Sequence, residues 1–311
     1  MSEADDDLGE LGAPEYLVYR VLVDRANQNN RETSRTRIHK LCCLADLRLR
    51  EAYDRDIGLP RHWDLYGRVT EEHSINRNVI FAPNANTFGG QAYYPADQVG
   101  ESDFDHLDED LRQDIFSAVR DTIREHGHKT AEELQKFQYR NYAPNDFIRA
   151  YADLRWHLQA LSLEQHEQRQ SAFYDFGSEE TKTDVEELLD EMLVNFPKEE
   201  YEVIYEPYLT WDDTMRLMTE QEARPREQLD FLEFFIQKVS KIVLRFVHRE
   251  NVPDHRTERW EEERQEHLEE LRSHVEQVRE QLLKDRPLSG VLESVSESYN
   301  ETVLEHITDS E

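Results

Sequence analysis

Apolar residues recur at spacings of three and four along most of this chain, the mark of helices that each bury one face. Tyr16, Leu17, Val18, Tyr19, Val21, Leu22 and Val23 crowd the first such stretch, which begins near Pro14 and ends at Asn27 to Asn30. Thr33 or Ser34 is placed to cap a second helix. Along it Ile38, Leu41, Cys42, Ala45, Leu49 and Ala52 predict an amphipathic face, and Gly58-Leu59-Pro60 stops it. Between Trp63 and Tyr94 the period breaks into short clusters such as Val79-Ile80-Phe81, separated by Pro83, Asn84, Asn86, Gly89 and Gly90, which predicts brief strands or loops.

Helical spacing returns after residue 105. Leu107, Leu111, Ile115, Phe116, Val119 and Ile123 share a face, with Gly127 placed as a stop, and Thr130-Ala131-Glu132-Glu133 has the form of a capping box. Asn145 is placed to cap a helix carrying Phe147, Ile148, Tyr151, Leu154, Trp156, Leu158 and Leu161, and further helices are predicted at about 182–195, 211–221, 227–249 and 255–284. The 227–249 stretch is apolar around most of its circumference, so it must be buried on several sides. Its Lys238, Lys241 and Arg245 exclude a bilayer. In the last helix Leu268, Leu271, Val275, Val278 and Leu282 form an a/d seam, which serves either packing on the chain's own helices or homodimer formation.

The fold class these elements predict is mainly α with a small β element. An acidic disordered leader (1–13) precedes an α+β module of helices and short strands (14–100), a helical core (101–250), a long charged helix (251–288) and an acidic tail (289–311). No run approaches the roughly eighteen apolar residues of a membrane helix and no secretory leader is present, which together predict a cytoplasmic protein with no membrane partner.

Charge changes the picture in two ways. The formal net charge of -31, with eight lysines against twenty-nine arginines, suits a halophilic protein whose carboxylates are screened in molar salt and whose packing loosens at low ionic strength. Against that background, residues 20–80 carry twelve Arg and Lys to nine Asp and Glu, while the rest of the chain is 34 more negative than positive. Arg31, Arg35, Arg37, Lys40, Arg48, Arg61 and Arg68 lie here among Trp63 and Tyr66, a mixture that suits phosphate, base or partner contacts. The same arginines are equally suited to pair with the chain's own acidic surface.

Candidate chemistry is otherwise sparse. No P-loop, dinucleotide-binding glycine pattern, H-E-x-x-H or G-x-S-x-G occurs, and the 68 acidic residues make any carboxylate pair uninformative. His126-Gly127-His128 reads as an exposed turn, and His267 and His274 stand two turns apart on solvated positions, too far to chelate one ion. The adjacent Cys42 and Cys43 point about 100° apart on a helix and read as small core residues. No catalytic residue, metal or cofactor is predicted.

Ile38-His39-Lys40-Leu41-Cys42-Cys43-Leu44-Ala45-Asp46 resembles the "KL-x-YLAD" helix of the Panacea domain, the antitoxin domain of many prokaryotic toxin–antitoxin pairs. Trp63 and Tyr66-Gly67-Arg68-Val69 are similar to that family's aromatic position and "YGP-V" turn, with Arg68 where the family has proline. The family's C-terminal threonine-histidine and proline-tryptophan pattern is absent. The resemblance implies an α-rich domain with small strands that binds a protein partner, commonly a toxin, and performs no chemistry. It also implies structural roles: Leu41, Leu44 and Ala45 in the core, Tyr66 and Gly67 in the turn. The sequence thus favours a non-enzymatic, antitoxin-like interaction module that neutralises or adapts a partner. The alternative is a DNA-binding regulator of winged-helix type using the 31–77 segment.

Overall fold

The computed structural model describes residues 11–29, 33–71, 74–75, 92–93, 99–168, 179–221 and 223–285. Their order is α1 (Ala13–Asn29), β1 (Thr33–Ser34), α2 (Arg35–Tyr53), β2 (Arg61–Asp64), β3 (Gly67–Thr70), β4 (Ala92–Tyr93), α3 (Glu109–His126), α4 (Ala131–Tyr142), α5 (Asp146–Gln168), α6 (Glu179–Val194), α7 (Tyr205–Glu220), α8 (Pro225–Val239) and α9 (Asp254–Asp285). The fold is mainly α with a small β element. Among the described residues the strands make two antiparallel pairs, β1 with β4 and β2 with β3. The cluster Val79-Ile80-Phe81 lies outside them, as do the leader to residue 10 and the tail from 286. No described helix is long and apolar enough to cross a membrane.

Apolar burial divides between two clusters. The first joins α1, α2 and α3 through Leu17, Val21, Leu41, Ala45, Leu49, Ile115 and Val119, with Leu134 of α4 at its margin, so it extends past the boundary expected near residue 100. The second gathers α5 to α9 around Tyr151, Trp211, Leu232, Phe235 and Ile242. Trp63 of β2 belongs to this second cluster, its ring 5.4 Å from that of Tyr139. The β2–β3 hairpin therefore contributes Trp63 and Leu65 to the second cluster while its β3 strand packs on α2.

Local signals explain several boundaries. Thr130 accepts the Glu133 N–H at 3.1 Å while the Glu133 carboxylate accepts the Thr130 N–H at 2.7 Å, the reciprocal capping box expected there. Asn145 caps α5 by accepting the Ile148 N–H at 3.0 Å. Ser34 occupies the N-cap position of α2 but its side chain makes no cap hydrogen bond. The apolar 227–249 stretch is the buried helix its composition requires, with one departure: Ser240–Leu244 widens into a π turn. Arg264 of α9 donates to the Ile242 carbonyl in that turn at 2.8 Å, and Arg245 donates to Trp260 O at 3.1 Å, so polar contacts from α9 fasten the irregular segment.

The seam on α9 is used within the chain. Leu268, Leu271 and Val275 are buried against α7 and α8, and Val278 and Leu282 pack beside them, which corrects their candidacy as a self-association surface. Two histidine expectations are also corrected. His126 is buried against Phe137, and His274 lies 3.9 Å, ring to ring, from Phe234. Residues 38–46 of α2 are buried on every side, where the spacing predicts only one buried face. α1 and α3 cover one side of it, and the hairpin and α4 cover the other.

A polar chain links three distant segments of the helical region. Asn145 donates to the Tyr201 hydroxyl at 2.8 Å, and that hydroxyl lies 2.7 Å from His248 Nε2. Burial lowers the His248 pKa from 6.5 to about 4, with the nearby Arg68 charge acting in the same direction.

Two expected outcomes follow from these contacts. Leu271→Ala destabilises the fold by about 2–5 kcal/mol in urea unfolding monitored in molar KCl, because the cavity cannot close between α7 and α9. As pH falls from about 6.5 to about 4, the unfolded chain takes a proton at His248 that the folded chain refuses, so stability declines across that window and levels below it. His248→Gln flattens that part of the pH profile; an unaltered slope contradicts the assignment.

Candidate nucleic-acid or partner interface

The segment that is basic in sequence is largely neutralised in space. Lys40 is fully buried in the second turn of α2, where it donates to the Tyr66 carbonyl and, at 3.2 Å, to the Arg68 carbonyl. Burial lowers its pKa from 10.5 to about 7. Gly67, between those two carbonyls, has φ +90°, and a Cβ there would stand 3.1 Å from Lys40 Nζ. The lysine of the helix motif and the glycine of the turn motif thus meet directly.

The aspartate of the helix motif has an equally specific partner. Asp46 is fully buried and forms an ion pair with Arg61, itself 2% exposed on β2. Arg61 also donates to Glu250 at 2.6 Å, and its backbone pairs with that of Glu250 through hydrogen bonds of 2.9 and 2.8 Å. Arg50 reaches the same carboxylate at 2.8 Å, and Arg68 approaches it at 3.9 Å. Partial burial opposes ionisation of Glu250, but the hydrogen bonds and charge of Arg61, with help from Arg50 and Arg68, outweigh it and hold its pKa below the usual range. Three arginines are therefore drawn around Asp46 and Glu250.

The remaining candidates divide by position. Arg48 pairs with Glu125 of α3, and Arg37 donates to the Gly127 carbonyl at 2.5 Å. Trp63 is a core residue, buried completely. Arg31 lies outside the described residues. Arg35 and Tyr66 are exposed, and both line a cavity of about 360 Å³.

That cavity opens at the start of α2. Arg35, Thr36 and His39 reach it from the helix, His62, Asp64, Tyr66, Val69, Thr70 and Glu71 from the hairpin, and Arg256 from α9. Strand alternation explains the hairpin's share: with Trp63 directed into the core, His62 and Asp64 fall on the opposite face, and Val69 stands across from His62 in register. Glu71 is buried and held by Arg256 at 3.0 Å. His62, 9% exposed, has its Nδ1 3.4 Å from Glu71 Oε2 without hydrogen-bond geometry, and that nitrogen has no hydrogen-bond partner. Burial lowers the His62 pKa against the opposing pull of Asp64 and Glu71.

Two histidines and two carboxylates line this cavity, yet no group of three or more His, Cys, Asp or Glu among the described residues is arranged to hold a metal ion. Cys42 and Cys43 are free and buried, and Cys43 Sγ contacts the Thr70 hydroxyl at 3.8 Å. His39, His62, Asp64, Glu71 and Arg256 are not singled out by sequence. For His62 and Asp64 the signal is the alternation around Trp63, whereas Arg256 joins Glu71 across 185 positions and has no local signal.

The buried ion pair yields an expected outcome. Asp46→Ala leaves the Arg61 guanidinium buried beside a lost counter-charge and costs about 3–5 kcal/mol in urea unfolding, while the double replacement Asp46→Leu with Arg61→Met recovers most of the loss. Equal losses in the single and double variants contradict the pairing. Comparison with family models, curated proteins and solved structures finds no match to this chain.

Proposed function

We infer that the chain is a non-enzymatic, antitoxin-like interaction module that neutralises or adapts a protein partner. The observation that supports this reading is the fate of its cations: Lys40 and Arg61 are buried, and Arg48, Arg50 and Arg68 face Glu125 or Glu250. A phosphate-binding surface needs cations turned outward, and in high salt it needs many of them. What faces solvent beside the cavity is a tyrosine, Tyr66, at 44% exposure, with Arg35 close to it on the same rim. Tyrosine and arginine are the side chains that most often anchor protein interfaces.

DNA binding through the same segment is the second reading, carried by the local charge balance in the sequence. In this arrangement the β2–β3 hairpin is packed against α2 and α4, while a winged helix extends its ribbon toward the duplex.

A direct comparison separates the two. Tagged full-length chain is incubated in molar KCl with lysate of the cells that encode it, and separately with duplex DNA. The expected result is one protein recovered in stoichiometric amount, reduced at least tenfold by Tyr66→Ala with Arg35→Glu. Recovery of DNA that is lost on charge reversal at Arg35 and Arg37, with no protein recovered, overturns the proposal.

A further inference from the structure

The cavity at the start of α2 has a chemistry that the partner reading does not require. α2 runs for 19 residues, has no acidic residue in its first turn, and receives no side-chain hydrogen bond from Ser34 at its N-cap. Its leading amides and the positive end of its dipole therefore favour a negative group at the first turn. Arg35 and Thr36 of that turn line the cavity.

His62 supplies the independent observation. Its imidazole lines the same cavity, is nine-tenths buried, and leaves Nδ1 without a hydrogen-bond partner. A buried polar atom in that condition is unfavourable unless a ligand or a small ring rotation gives it a partner. The cavity also contains acidic groups, of which Glu71 is paired with a cation, Arg256, at 3.0 Å and Asp64 is hydrogen-bonded to the backbone, accepting the Leu65 N–H at 2.7 Å. Formally Arg35 and Arg256 balance Asp64 and Glu71, so the helix terminus decides which sign of ligand is favoured, and the imidazole supplies a hydrogen-bonding group beside it.

We propose that this cavity binds a small oxyanion, the carboxylate or phosphate group of a small molecule, at the first turn of α2 between Arg35, Thr36 and His62. Its volume of about 360 Å³ suits a small metabolite. The anionic group takes the first-turn amides, the Thr36 hydroxyl and the Arg35 guanidinium as donors, and the rest of the molecule lies along Val69 and Tyr66. This site shares Arg35 and Tyr66 with the proposed partner surface, but its test uses the chain alone and needs no protein partner.

The test is calorimetric titration of the full-length chain with inorganic phosphate and, separately, with acetate, at constant molar KCl. The expected result is one site per chain, weakened at least tenfold by Arg35→Gln and by His62→Gln, and unaffected by Arg48→Gln, which lies outside the cavity. Thr36→Pro, which removes a first-turn amide where a helix tolerates proline, weakens binding as well. Binding of phosphate alone assigns a phosphate-bearing ligand, and binding of both assigns a site open to carboxylates. Absence of heat with either anion overturns the proposal, as does binding that Arg35→Gln leaves unchanged. Arg35 is exposed, so that variant folds and the outcome is decisive even if His62→Gln does not.

Discussion

Burial of two ionisable side chains on α2, Lys40 and Asp46, is the constraint around which the structure is arranged. Lys40 and Asp46 lie within a stretch that is enclosed on every side, where a polar group without a partner is costly and an unpaired charge costs several kcal/mol. Each therefore demands a partner with defined geometry. The turn of the β2–β3 hairpin answers Lys40 with two carbonyls, and the first residue of β2 answers Asp46 with a guanidinium. Once those partners are in place the hairpin has no freedom to swing away, Trp63 is directed into the second apolar cluster, and His62 and Asp64 are turned toward the cavity. The position of the candidate site is thus a consequence of how α2 disposes of its charges.

The same constraint explains the charge map. A local excess of arginine in an acidic chain can mark a surface for phosphate, but here it mostly serves to neutralise carboxylates at an interior junction, where arginine's planar fork and constant charge suit it better than lysine. Glu250 collects Arg50, Arg61 and Arg68 from three different elements, α2, β2 and β3. The positive balance of residues 20–80 is consequently a property of the sequence that the folded surface does not present in full.

Helix spacing made most of the α elements legible, and the capping box at Thr130 and the buried character of the 227–249 helix were legible with it. Burial of α2 was not, because Lys40 and Asp46 look like solvated residues until their partners at 61–68 and 250 are known. The seam on α9 was visible as a seam, yet spacing alone cannot say whether its complement lies in the same chain. Of the candidate site, Arg35 and Tyr66 were legible as a cation and an aromatic in one segment. His39, His62 and Glu71 were not, since each is a lone titratable residue whose meaning comes from three elements converging.

The pairing of Arg61 with Glu250 has a consequence for how the chain is made. The two are 189 positions apart, and they meet through both backbone and side chain. A ribosome adding about 5–20 residues each second takes roughly 10–40 s to supply the second partner after the first. During that interval Arg61 has Asp46 but not Glu250, and the hairpin has one fewer hydrogen-bonded neighbour. Completion of the N-terminal half is in this sense deferred until nearly the whole polypeptide has emerged, so that a truncated product lacks the contact that closes its own junction.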